Sequence, residues 1–121
     1  MQLLKKCMEK KCRFSYNDID DSIILSCREE NELVKENFMF DDLVFSLTGR
    51  GKIVGIQIRN LSKMLSESGI NKEIAENIKE ASLIVIPKQN NLFIGIVFLT
   101  NNSQKVRLSL GRIFMPNLTA N

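Results

Sequence analysis

The sequence predicts an α+β fold. An antiparallel sheet is built from successive β-hairpins, with two short helices, residues 61–67 and 72–81, between two similar hairpins, residues 43–60 and 83–100. Three observations carry this reading. Residues 43–60, LVFSLTGRGKIVGIQIRN, and 83–100, LIVIPKQNNLFIGIVFLT, align without a gap at a spacing of 40, which puts Leu43 on Leu83, Gly55 on Gly95 and Ile56 on Ile96. Apolar residues in the arms of both copies alternate with the period of two that marks strands. Between the copies the period changes: Ile70, Ile74 and Ile78 recur every four residues, the stripe of a helix packed on a sheet.

The N-terminal residues 1–11 read as a basic arm or short helix, since Leu3, Leu4, Cys7 and Met8 form one stripe and the lysines lie mostly elsewhere. Strand periodicity follows at 12–16 and 23–28. Cys12, Phe14 and Tyr16 share one face, and Ile23, Leu25 and Cys27 share another. The Asn/Asp/Ser run between them favours a loop of about six residues. Matching the apolar faces sets Tyr16 opposite Ile23, Phe14 opposite Leu25 and Cys12 opposite Cys27. Asp18, Asp20, Ser22 and Glu29 fall at calcium-loop spacing, but Ile23 stands where that loop needs glycine, so an acidic turn is the better reading. Residues 34–40 alternate with one intruding charge, Glu36, as an edge or partly exposed strand does. Asp41-Asp42 then turns the chain.

In the first copy, Leu43, Phe45 and Leu47 must share a face with Val54, Ile56 and Ile58. Paired residue numbers then sum to 101 and leave Arg50-Gly51 as a two-residue loop. Shifting by 40 sets Leu83 opposite Phe98, Val85 opposite Ile96 and Pro87 opposite Ile94, with Asn90-Asn91 as the loop. Ser68-Gly69 breaks the two helices and Asn71 caps the second. A helix pair with a glycine turn also suggests helix-turn-helix, but the second helix carries Glu73, Glu76 and Glu80 against Lys72 and Lys79, which DNA phosphates repel. Val106, Leu108 and Leu110 make a last strand, Pro116 stops it, and residues 117–121 read as a disordered tail.

Tyr16-Asn17-Asp18-Ile19-Asp20-Asp21-Ser22-Ile23-Ile24-Leu25, then Gly51-Lys52-Ile53-Val54-Gly55-Ile56-Gln57-Ile58, then Asn60 and Ser62, resemble a small prokaryotic family of unknown function. Its members read YDPEADALYI, then GRLVGIEIL, then a helix. The resemblance covers residues 12–65. Asp21 falls on the family's turn aspartate, and Gly51 and Gly55 on its glycines; Asn17, Asp18 and Gln57 depart from its Asp, Pro and Glu. The resemblance implies a small antiparallel sheet followed by a helix, and the family has no agreed activity.

At 121 residues the chain is long enough for one domain with its own core, and no apolar run approaches the ~18 residues of a membrane span. The N-terminus is too polar for a secretory signal, which points to the cytoplasm. Cys7, Cys12 and Cys27 are then expected as reduced thiols. With no histidine and three widely spaced cysteines, no metal site is expected, nor any cofactor. Gly49-Arg50-Gly51-Lys52 lacks the spacing of a phosphate loop and reads as a hairpin turn. Adjacent carboxylates lie only in turns, and a Cys/His or Ser/His pair cannot form, so the chain reads as non-enzymatic.

Charge is uneven. Residues 1–13 carry five Lys/Arg against one acid, 14–80 eight against thirteen, and 81–121 four against none. Two functions fit. The favoured one is a small cytoplasmic interaction protein that self-associates as a homodimer, or binds a protein partner, through an apolar sheet face. The second hairpin supplies that face, with Ile84, Ile86, Phe93 and Val97 on the side opposite Leu83, Val85, Ile94 and Ile96. The alternative is a nucleic-acid binder using Lys5, Lys6, Lys10, Lys11, Arg13, Lys105, Arg107 and Arg112, which requires these cations to converge on one face beside exposed aromatics.

Overall fold

A computed structural model of the chain describes residues 8–89 and 91–113, the side chains of Met8, Arg112 and Ile113 excepted. Lys5, Lys6, Asn90 and the tail 117–121 therefore lie outside the described residues. Among the described residues, eight strands run in the order β1 (Met8–Asn17), β2 (Ser22–Ser26), β3 (Glu36–Phe40), β4 (Leu43–Leu47), β5 (Ile53–Ile58), β6 (Ile78–Lys88), β7 (Asn91–Thr100) and β8 (Lys105–Ile113). One helix, α1 (Leu61–Glu67), and a 3-10 helix, Lys72–Glu76, connect β5 to β6. All neighbours are antiparallel in one sheet of order β3-β4-β5-β2-β1-β6-β7-β8, which curls into half a barrel. No helix among the described residues is long and apolar enough to cross a membrane.

This overturns the α+β reading. Of the described residues, 58% are strand and 12% helical, with one α-helix rather than two. The predicted helix 72–81 ends as a 3-10 helix at Glu76, and Ile78 already opens β6. The stripe Ile70, Ile74 and Ile78 is real as packing, since all three pack on the core. It spans a loop, a 3-10 helix and a strand, however, not one helix. Pairing decides the matter: β7 takes Ile78 and Glu80 into its ladder and β1 joins from Ala81 onward, and these ladders outweigh a weak local helix preference. Likewise, Met8 through Lys11 belong to β1 and not to a helix or free arm, because β6 gives them a strand partner.

The long β1 joins the two halves of the sheet. Its first half pairs with β6 and its second half with β2. Tyr16 opposes Ile23 and Phe14 opposes Leu25 as expected. Cys12 and Cys27 are buried neighbours, again as expected. They are joined as a disulfide rather than held as thiols, with Cα atoms 4.4 Å apart.

In the β4/β5 hairpin, pairs sum to 101 from Leu43 opposite Ile58 through Ser46 opposite Gly55. Leu47 then opposes Ile53, so Val54 is a bulge and the expected pair of Leu47 with Val54 does not form. The turn explains the slip. Gly51 N–H donates to the Thr48 carbonyl and Thr48 N–H to the Lys52 carbonyl, both at 3.0 Å, and only Gly51 is left-handed, at φ 82°. A three-residue loop spares Arg50 the positive φ that a two-residue loop demands.

In the β6/β7 hairpin the pairs sum to 179, not 181: Leu83 opposes Ile96, Val85 opposes Ile94 and Pro87 opposes Leu92. Lys88 opposes Asn91, so the turn falls one residue before Asn90-Asn91. A slip of two keeps every side chain on its face, so apolar pattern could not detect it. The two hairpins therefore share faces but not a gapless register. The turn that repeats the Thr48 geometry is instead Thr100 to Gln104. There Ser103 N–H donates to the Thr100 carbonyl and Thr100 N–H to the Gln104 carbonyl, both at 2.9 Å, with Ser103 left-handed at φ 68°.

The core lies on one sheet face, the inner face. Ile23, Leu25, Phe45, Ile56, Ile58, Leu83, Ile94, Ile96, Phe98 and Leu108 form it under Leu61 and Leu65 of α1 and Ala75 of the 3-10 helix. Helix α1 ends in a Schellman motif, with Ile70 N–H donating to the Leu65 carbonyl at 2.8 Å and Gly69 at φ 76°.

Candidate interaction surface

Cross-strand register fixes which residues share the outer face, the one away from α1. One row reads Lys11, Ser82, Val97, Arg107; the next reads Glu9, Ile84, Gly95, Ser109. Beyond them Ile86 opposes Phe93, and on the other flank Glu80, Leu99 and Lys105 line up. The four predicted interface residues thus form one patch. Ile84, Ile86 and Phe93 are half-buried, Val97 is 9% exposed, and none belongs to the core cluster. Both described helices pack on the inner face, so neither covers this patch.

The predicted cations divide. Lys11, Lys105 and Arg107 are exposed on the outer face around the patch, and Arg13 follows on the same face opposite Ser26. Arg112 pairs with Phe93 through its backbone. Lys10 is in register with inner-face Leu83 and forms an ion pair with Glu29, so it does not join them. The charge tally along the chain counted Glu9 and Glu80 but did not place them on the outer face beside these cations. Glu80 holds Lys11 in an ion pair at 3.2 Å. The signal was present in β1 and β6 alternation, but required knowing that residues 8–11 and 78–81 are strand.

A second cluster was missed altogether. Asp21 sits left-handed at φ 54° in the β1/β2 turn and reaches the start of α1. Its carboxylate accepts from Ser62 N–H at 3.0 Å, Ser62 Oγ at 2.9 Å and Tyr16 Oη at 2.8 Å, and its carbonyl accepts from Leu61 N–H at 3.0 Å. Helix starts leave orphan N–H groups, and α1 has no cap bond from Asn60, so Asp21 supplies the cap from a distant turn. Burial pushes its carboxyl up, but the Ser62 N–H, then the Tyr16 and Ser62 hydroxyls, outweigh it and hold Asp21 below the usual carboxylate range. Burial, with Asp21 beside it, raises the Tyr16 hydroxyl. Tyr16 and Ser62 both bond Asp21, which makes the cluster a structural clamp between sheet and helix, with Lys72 and Glu76 close by.

Gly55 lies on the outer face between Ser26 and Ser46. A Cβ there would meet Leu25 O at 3.1 Å, a contact tight enough to favour glycine at this crossing. Comparison with protein-family models, curated proteins and solved structures gave no match.

Proposed function

We propose that the protein is a small, non-enzymatic interaction protein of the cytoplasm that forms a homodimer by packing the outer faces of β1, β6, β7 and β8 together. The single observation behind this is the patch of Ile84, Ile86, Phe93 and Val97 on one face, half-buried at three of the four positions and covered by neither described helix. Charge favours a second copy as the occupant. The rim carries acids, Glu9 and Glu80, beside cations, Lys11, Lys105 and Arg107, so a twofold pairing can set each sign against the other. Four strands of nine to eleven residues offer roughly 550 Å² per copy at ordinary strand spacing. Two such faces bury about 1,100 Å², near the lower bound for a specific interface, so the dimer is expected in the micromolar range. In a reducing cytoplasm Cys12 and Cys27 would pack as two buried thiols in the same place.

Kinship with the family the sequence resembles belongs to the same proposal. It rests on Asp21, Gly55 and Ser62, each of which has a physical reason to be where it is: the carboxylate caps α1 at Ser62, and the glycine clears Leu25 O.

The test is a thiol probe. Ile84→Cys in a Cys7→Ser background is labelled at low and high protein concentration. Labelling should slow as concentration rises through the dimer constant; an unchanged rate up to high micromolar counts against the reading. Nucleic-acid binding is the second reading, favoured by Lys11, Arg13, Lys105 and Arg107 on one face with Phe93. It would show as affinity for short RNA or DNA falling about 0.9 log units per phosphate contact for each tenfold rise in salt.

A further inference from the structure

Residues 28–35 link β2 to β3 without adding to the core. Glu32 is half-buried, the other seven are exposed, and none belongs to the core cluster. The segment is fastened at its two ends. Cys27 N–H donates to the Val54 carbonyl and Lys35 N–H to the Leu47 carbonyl, both at 2.8 Å. Between these ends Glu29 pairs with Lys10, and Glu32 with Lys52. Glu32 also folds the segment into a turn. Its carboxylate accepts from Glu29 N–H and its carbonyl from the Arg28 guanidinium, both at 2.8 Å. Ion pairs that keep contact with solvent stabilise by only about 0–1 kcal/mol each, so the segment has the marks of a stretch that opens locally: exposed bonds and no buried apolar side chain.

The disulfide stands at the first of its two ends. Backbone pairing of β1 with β2 stops at Arg13 opposite Ser26. Side chains carry the same register further, Cys12 to Cys27 as the bridge and then Lys10 to Glu29 as an ion pair. Five backbone pairs already hold β1 against β2, so the covalent bond repeats a contact that this hairpin makes without it. Its distinct effect falls where residues 28–35 leave the sheet. Cys12 is 7% exposed and Cys27 4%, both within the core cluster. A free cysteine packs as a small apolar side chain, so the sheet accommodates either redox state.

We propose that Cys12 and Cys27 form a reversible redox latch on residues 28–35. Closed as the disulfide, it keeps the segment docked; opened to two thiols, it lets the segment detach while the sheet stays folded. The chemistry is thiol–disulfide exchange with a low-molecular-weight thiol such as glutathione. One thiolate attacks a bridge sulfur, giving a mixed disulfide and one protein thiol. A second thiolate attacks the mixed disulfide and displaces the other cysteine. Two small thiols become one small disulfide, and their two electrons and two protons pass to Cys12 and Cys27. Oxidised glutathione reverses both steps. The latch lies on the inner face and does not depend on the dimer proposed above.

The experiment is limited trypsin digestion of the full chain in a Cys7→Ser background, since Arg28 and Lys35 are cleavage points at the two ends of the segment. Cleavage after Arg28 and Lys35 should be at least tenfold faster in reduced than in oxidised glutathione, and should slow again when the buffer is exchanged back. Local detachment exposes little surface, so the rate for the reduced protein should not change in about 1 M urea, whereas cleavage through global unfolding would rise several-fold. A double variant, Cys12→Ala with Cys27→Ala, should be cut at the reduced rate in both buffers. A redox ratio below tenfold, or a ratio that the double variant retains, overturns the proposal. So does a rate for the reduced protein that climbs with urea, since the bond would then staple the whole fold rather than latch one segment.

Discussion

Asp21→Asn and Asp21→Ala separate the two tasks of one residue. Asn tolerates the left-handed φ of 54° and keeps one acceptor, but loses the charge that receives Ser62 N–H, Ser62 Oγ and Tyr16 Oη. A hydrogen bond to a carboxylate stabilises by about 1.5–3 kcal/mol when buried. Asp21 is only half-buried, so the loss in Asp21→Asn should be about 1–2 kcal/mol. Asp21→Ala loses all three bonds and also the short polar side chain that lets Asp hold a left-handed φ, roughly 3–4 kcal/mol together. Unfolding entropy of about 2.1 cal/mol/K per residue over 121 residues converts 1 kcal/mol to roughly 4 °C. Thermal melts at pH 7 should fall by about 4–8 °C for Asn and 12–16 °C for Ala. Because the folded carboxyl lies below its ordinary value, its contribution is present above about pH 4 and is lost as pH falls through the folded value. The gap between the parent protein and Asp21→Asn should close in acid. An Asn variant within about 0.5 kcal/mol of the parent at pH 7, or a gap that does not change toward pH 3, would refute the clamp.

Other substitutions probe neighbouring contacts. Tyr16→Phe should cost about 0.5–1.5 kcal/mol by urea unfolding at pH 7. Its raised hydroxyl makes that contribution present below about pH 10 and lost as pH rises through the folded value. Gly55→Ala should cost about 1–3 kcal/mol in the same assay, since its Cβ meets backbone at 3.1 Å and neither strand can yield alone. Reducing the bond between Cys12 and Cys27, 15 residues apart, should lower stability by up to about 3 kcal/mol, read as a shift in urea midpoint with and without reductant.

Period-two alternation made most strands legible, and faces in β6 and β7 were read correctly even where register was not, whereas at Val54 a bulge gives the core position to Ile53. Leu83 with Ile96 rather than Phe98 shows why: a shift of two leaves the apolar pattern unchanged, and only the turn residues can choose. Arg50 made that choice in the first hairpin by declining a positive φ. The false second helix arose because Ile70, Ile74 and Ile78 face one core from three different elements. Helix α1 and its Gly69 stop were legible because their signals are local, whereas its cap was not, since Asp21 is 41 residues from Ser62. The apolar patch at the outer face was legible from β6 and β7 alone. Its charged rim depended on β1 joining β6, a pairing that no local pattern announces.

Sedimentation equilibrium on the parent protein and on Ile84→Lys tests the central claim most directly. The account predicts a 13.8 kDa chain that becomes a dimer over micromolar concentrations, and an Ile84→Lys variant that folds normally but associates at least tenfold more weakly. A parent protein that stays monomeric to high micromolar concentration, or association that Ile84→Lys leaves unchanged, would contradict it.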